Sequence, residues 1–179
     1  VDNNSQDKTI EVIRCNFPDV NLLENKVNLG FAKAVNIGIK KSSGEYILLL
    51  NPDARLVDDS IYNSIEYMKS EEKVGILGAK VVDENGRFHH TCRRGEVNPI
   101  SILCRDLGLH KMLGKKYDRY NLTYLDIDKI IEVESISGSF MLIRKELINK
   151  IGLFDERFFM YSEDIDFCLR AKKAGFKVI

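Results

Sequence analysis

The chain has no tryptophan, and its 179 residues include only three prolines, three histidines and four cysteines. Charge of one sign is also lacking: 27 Lys and Arg face 27 Asp and Glu. That balance excludes the basic profile of a protein whose main partner is nucleic acid. No apolar run approaches the roughly 18 residues of a membrane span. The longest, Tyr46 to Leu50, has the length of a strand, and no signal-peptide pattern is present. Cys15, Cys92, Cys104 and Cys168 form no CxxC and have no histidine at zinc spacing. They read as reduced, mostly buried thiols of a cytoplasmic protein. His89, His90 and His110 are expected to hold no metal.

What is present suits one compact α/β domain over residues 1–179: 44% apolar and 30% charged residues. The charge is locally uneven. Arg87 to Arg119 holds eight basic and three acidic residues, and Asp155 to Asp166 holds five acids and one Arg. Each stretch is either a solvated face or part of a site. The first could form a basic rim toward an anionic substrate or a membrane surface. Val1-Asp2-Asn3 reads as the end of a strand and Lys177-Val178-Ile179 as the start of another, so the chain is expected to cut into a sheet at both ends.

Apolar runs alternate with helical patterns, which predicts helices flanking a mixed, mainly parallel sheet. Helices are expected over Asp7–Cys15, after Gly30, around Ile61 to Met68, and over Ser162–Lys173 with Gly175 as its stop. In the second, Phe31, Ala34, Val35, Gly38 and Ile39 form one face. In the last, Ile165, Cys168 and Leu169 point to the core. Strands are expected at Val20–Glu24, Tyr46–Leu50, Val74–Val82 and Glu132–Ile143. The unbroken apolar run of Tyr46–Leu50 predicts burial on both faces. Glu84-Asn85-Gly86 carries turn chemistry. Residues 98 to 130 read as a variable insertion of helix and loop.

Four segments carry chemistry. Asn51-Pro52-Asp53 follows the apolar strand, where open α/β sheets bind ligands. Asp53 could offer a carboxylate to a divalent cation that fills its other positions with phosphate and water, or simply cap the turn. Tyr161-Ser162-Glu163-Asp164-Ile165-Asp166 places three acids at a helix start. The helix dipole alone would favour them there, and Asp166 can pair with Arg170. The neighbouring Phe158-Phe159-Met160-Tyr161 would also let a carboxylate be tuned as a general base. Asn28-Leu29-Gly30-Phe31 opens a helix with free amides that suit an anion, unless Gly30 is only a loop glycine and Asn28 a cap. In Ser137-Gly138-Ser139, Gly138 marks a β-bulge or the close approach of a ligand.

Taken in order, these segments resemble the family 2 glycosyltransferases, in their bacterial rhamnosyltransferase-like branch. The matching stretches are Val1 to Ser5 with Asp7 and Thr9, Asn28 to Phe31 with Asn36 and Gly38, and Gly44 to Asp53. Gly78-Ala79-Lys80, Ser137 to Arg144, Gly152 to Glu156, and Phe158 to Phe167 with Arg170 and Gly175 complete the set.

The resemblance implies a Rossmann-like GT-A fold, a nucleotide-diphosphate-sugar donor, Mg2+ or Mn2+, and inversion at the anomeric carbon. It places Asp2, Asn28, Gly30, Asn36, Asn51 and Asp53 on the donor side, with Asp2 at the base or ribose. Asn51-Pro52-Asp53 takes the place of the family's DxD motif; with Asn51 as its first residue, Asp53 holds the metal alone. Asp164 is implied as catalytic base, with Glu163 supporting it, and Ser137, Gly138 and Tyr161 lie on the acceptor and sugar side. The donor would be a thymidine- or uridine-diphosphate sugar, with rhamnose favoured. The acceptor would be a saccharide or lipid-linked saccharide of a cell-surface polysaccharide, reached at the inner face of the membrane. By the same likeness a strand and helix precede Val1 and further residues follow Ile179, so this stretch alone is expected to be weakly active. Two other readings compete. A non-catalytic module would bind nucleotide sugar without turnover, and a nucleotidyltransferase would carry a Gly-rich phosphate loop, which is not seen.

Overall fold

The computed structural model describes residues 1–95, 120 and 122–179. The elements in chain order are α1 (Thr9–Asn16), α2 (Phe31–Lys41), β1 (Tyr46–Leu50), α3 (Ser60–Ser70), β2 (Val74–Gly78), β3 (Arg93–Arg94), β4 (Ser135–Ile136), β5 (Phe140–Arg144), α4 (Lys145–Ile151), α5 (Glu163–Lys173) and β6 (Lys177–Val178).

The main sheet has the order β1-β5-β2-β6. β2 and β6 run parallel, while β5 runs antiparallel to both β1 and β2. Three strands therefore share one direction and β5 opposes them, a mixed sheet as expected. The reversal puts the amino end of β5 beside the carboxyl ends of its neighbours, with Leu50 opposite Phe140 and Gly78 opposite Met141. A separate two-stranded ribbon pairs Arg93 with Ile136 and Arg94 with Ser135.

β5 is the strand buried on both faces: all five of its residues are buried. Its side chains alternate as a pleat requires. Met141 and Ile143 join the core formed with α2, α4 and α5. Phe140 and Leu142 join Met68 of α3 on the other face. β1 was expected in that central place, but only its Ile47 is buried. It lies at an edge of the described sheet, with β5 on one side.

Several boundaries and faces differ from expectation. Val20–Glu24 forms no strand; Glu24 makes one bridge, to Asp2, and Val20 is exposed. β2 stops at Gly78, and Val82 makes a single bridge to Phe88 around a turn where Gly86 adopts φ +75°. Glu132–Ile143 is not one strand but β4 and β5, which belong to different sheets. On α2 the buried residues are Ala32, Asn36 and Ile39, one position round from the expected face. On α5 they are Glu163, Asp164, Phe167, Cys168 and Ala171, while Leu169 is exposed. The ring of Phe167 stacks on Phe154 at 4.2 Å, and this contact sets how the helix is turned. Most of 98–130, with Cys104 and His110, lies outside the described residues. Cys92 and Cys168 are buried and Cys15 is exposed.

Candidate active site

The amino-terminal side is a web of short polar side chains. Asp2 is buried, and its Oδ2 accepts the amides of Asn4 and Ser5, each at 3.0 Å. Hydrogen bonds from Ser5, first its hydroxyl and then its amide, hold the carboxyl of Asp2 below its usual range. Asn3 ties three segments together. Its Oδ1 accepts Asn25 Nδ2 at 3.1 Å and the Leu29 amide at 3.0 Å, while its Nδ2 donates to Asn28 Oδ1 at 2.8 Å. Asn28 Oδ1 also caps the Gly30 amide at 2.9 Å.

Gly30 has a specific reason to be glycine. Its φ is +82°, and a Cβ there would sit 2.5 Å from the carbonyl oxygen of Phe159. The same carbonyl accepts the Phe31 amide at 2.7 Å. The start of α2 is thereby locked to the loop that leads into α5. Asn36, placed on the donor side from sequence, is 1% exposed and its amide is occupied. Oδ1 accepts the Phe154 amide at 3.0 Å, and Nδ2 donates to the Phe154 carbonyl at 2.9 Å and to Glu156 at 3.0 Å.

The carboxyl end of β1 supplies the second wall. The Asn51 amide donates to Ser139 O at 3.0 Å, and the Ala54 amide closes a turn on Asn51 O. Asp53 stands exposed on this turn. It caps no amide and makes no ion pair among the described residues, so the geometry does not give it the structural task of a turn aspartate. No group of three or more His, Cys, Asp or Glu placed so as to hold a metal ion occurs among the described residues. A cation at Asp53 would therefore rely on one carboxylate, which suits an ion completed by phosphate oxygens and water.

Ser137-Gly138-Ser139 sits against that turn. Gly138 is in neither a bulge nor a strand: it lies in the turn where the chain passes from the ribbon into β5. The group that approaches it is the ring of Phe31, 3.1 Å from where a Cβ would stand. Ser137 accepts from the Ser139 amide, and its own amide donates to Cys92 O at 3.0 Å. That bond leads directly into Arg93 and Arg94.

The acids form the third wall. Tyr161 and Ser162 both have positive φ, +68° and +71°, a left-handed pair that costs about 1–2 kcal/mol per residue outside glycine. The strained corner leaves Phe159, Met160 and Tyr161 exposed and turns Glu163 and Asp164 inward at the start of α5. Asp164 Oδ2 accepts from Arg94 at 2.9 Å, and its Oδ1 from the Ile165 amide at 2.8 Å. Among the described residues, Glu163 Oε2 is buried without a hydrogen-bond partner, as is Ser135 Oγ. Burial, reinforced by the charge of Asp164, pushes the Glu163 carboxyl up. Asp166 pairs with Arg170 at 2.8 Å, the surface pair expected. Two adjacent carboxylates thus have different surroundings: one is hydrogen-bonded to a guanidinium and an amide, the other is desolvated.

Arg94 was not singled out by motif. From sequence it belonged to a basic rim between Arg87 and Arg119, yet Arg93 and Arg94 turn inward. Only the ribbon pairing, which has no local signature, brings Arg94 to Asp164.

A model described as Glycosyl transferase family 2 matches residues 1–152. The N-acetylglucosaminyl-diphospho-decaprenol L-rhamnosyltransferase of Mycobacterium tuberculosis (strain ATCC 25618 / H37Rv) is 31% identical over 190 aligned residues, covering 97% of this chain and 60% of the relative. Rhamnosyltransferase WbbL of Escherichia coli (strain K12) is 31% identical over 157 residues, covering 83% of this chain and 56% of its own. The chain thus spans somewhat more than half the length of these relatives. In fold it is similar to a mannosyltransferase from Pyrobaculum calidifontis in complex with GDP-Man and Mn2+, with a TM-score of 0.65 at 18% identity over 99% of this chain and 43% of that one. The fold is that of the GT-A glycosyltransferases, and the chain belongs to glycosyl transferase family 2.

Proposed function

We propose that the protein to which this chain belongs is an inverting glycosyltransferase of polysaccharide synthesis. It moves a hexosyl unit, rhamnose by likeness to the two relatives, from a nucleoside-diphosphate donor to a saccharide or lipid-linked acceptor. The observation that carries this reading is the meeting of three walls at one sheet end. Asn51 bonds Ser139, Ser137 bonds Cys92, and Arg94 of the adjoining strand bonds Asp164.

In this reading the Gly30–Phe31 corner and the Asn51–Asp53 turn face the donor. Asp53 would hold Mg2+ or Mn2+, which when bound would neutralise charge on the departing diphosphate. Asp164 accepts the proton of the acceptor hydroxyl as it attacks the anomeric carbon from the face opposite the nucleotide. Glu163 lies beside Asp164 within the same buried charge cluster. Ser137, Gly138 and exposed Tyr161 line the acceptor side. No helix of the described residues is long and apolar enough to cross a membrane; acceptor and enzyme would meet at the cytoplasmic face, by peripheral contact where the acceptor is lipid-linked.

The test uses the full-length protein with thymidine- and uridine-diphosphate sugars. Asp164→Asn should lower turnover by about 10²–10⁴-fold while nucleotide binding persists. Asp53→Ala should remove the metal-dependent part of nucleoside-diphosphate binding. Turnover near wild type in Asp164→Asn would sink the assignment of the base.

A further inference from the structure

We propose that Arg94 is a positioning residue for the transfer step, holding the carboxylate of Asp164 in one orientation and placing a cation beside two adjacent buried acids. The proposal rests on the reading of Asp164 as base and adds to it a residue from a different part of the chain.

The geometry is specific. Asp164 is on the first turn of α5, with its side chain 10% exposed, and Arg94 is on the ribbon, with its side chain 19% exposed. One carboxylate oxygen is held from outside the helix at 2.9 Å and the other from the helix backbone at 2.8 Å. An aspartate has two side-chain torsions, and these two bonds fix both. Each carboxylate oxygen keeps a second lone pair, so the narrow exposed edge can still receive an acceptor hydroxyl.

Arg94 is kept in place by β3–β4. The antiparallel register sets it opposite Ser135, and α5 packs on β4. Successive residues of a strand point to opposite faces. Arg93 accordingly turns away from Asp164 to stack on Phe88 at 4.9 Å and bond Leu125 O.

The charge count gives the second half of the argument. Asp164 and Glu163 are consecutive and both buried, and Arg94 is the one cation hydrogen-bonded to either among the described residues. Tyr120 lies near Arg94, and Cys168 of α5 lies near both Arg94 and Asp164, with Lys172 farther along the helix. β2 and β4 carry no ionisable side chain; α4 carries Lys145, Glu146 and Lys150, and β6 carries Lys177. Lys145 and Lys150 donate to the carbonyls of Ser42 and Ala174. Without Arg94 two like charges would share a desolvated site, and the pair would bind a proton more readily. A protonated base cannot take the acceptor proton.

The experiment compares Arg94→Gln, Arg94→Lys and Asp164→Asn in the full-length protein, measuring kcat and both KM values across pH. Arg94→Gln should lower kcat by about 10–100-fold, the cost of a misdirected catalytic group. It should also move the acid limb of the pH–rate profile up by about one unit or more, with the donor KM little changed. Arg94→Lys keeps the charge without the planar fork; its acid limb should match wild type while kcat stays reduced. A folded Arg94→Gln with wild-type kcat and an unmoved acid limb overturns the proposal. Should Arg94→Gln not fold, Arg94→Lys decides: an upward-shifted limb, or a wild-type kcat, overturns it. Asp164→Asn separates the two readings. If it keeps turnover, the base assignment fails; if it is inactive while Arg94 variants behave as wild type, only the role of Arg94 fails.

Discussion

Asn36 satisfies both backbone groups of Phe154, a residue 118 positions away. Nothing in the sequence around Asn36 announces that partner, and the family likeness assigns the residue to the donor side. In the structure its amide instead anchors α2 to the segment that leads toward α5. Asn36→Ala would leave a buried N–H and C=O unpaired, at about 1–3 kcal/mol each. Chemical denaturation should show a loss of about 2–4 kcal/mol, an effect seen without any substrate. Glu163 gives a prediction with a pH sign. Its folded carboxyl titrates above the ordinary 4.5 because burial disfavours the charge. Its contribution to stability is therefore full below 4.5 and declines as pH rises through the higher folded value. Glu163→Gln should flatten that decline, read as melting temperature against pH from about 4 upward. A wild-type slope in the variant would show that Glu163 ionises freely in the fold.

Among the elements, β1 and the last helix were legible because their signals are local. An apolar run ended by Pro52 defined Tyr46–Leu50, and acids before an amphipathic stretch ended by Gly175 defined α5. The direction of β5 was not legible, since a strand's pattern is the same read either way. The face of α5 was missed because Glu163 and Asp164 behave there as inward residues, against the ordinary rule for acids. One element boundary depends on a single cation. Arg144 closes β5, and its guanidinium donates to Val74 O at 3.2 Å, to the Tyr46 hydroxyl at 3.2 Å and to the carbonyl of Met68. It also lies over the Tyr46 ring, 5.4 Å from its centre. It thus binds β1, β2 and the end of α3, where a helix terminus favours positive charge. Arg144→Met keeps the apolar stem and removes the donors, and should cost about 2–4 kcal/mol in denaturant titrations. A loss under about 0.5 kcal/mol, the level of ordinary surface substitutions, would show that the carbonyls find other partners.

At the scale of the molecule, the alternation of strands and helices gave the α/β class, and the ordered motifs gave the family. The site itself was half legible. Motif order alone pointed to Asp53, the serine segment and the two acids, and it held Asn3 and Phe31 within their matching stretches; the pairing of Arg94 with Asp164 enters only through tertiary structure. The reversed strand β5 has a further effect. The Asn51–Asp53 turn and the Ser137–Ser139 turn lie at the end marked by Leu50, Phe140 and Gly78. At the other end, marked by Tyr46, Arg144, Val74 and Lys177, the strands meet the connecting residues 42–45, 71–73 and 174–176 and the start of α4. On the proposed function the first end is the working pole and the second the handling pole. Lengthening the short, exposed turn at Ser43-Gly44-Glu45, or attaching a surface tether or fluorophore there, would act on the handling pole. It offers a place to hold, label or immobilise the molecule away from the end where Leu50, Phe140 and Gly78 meet.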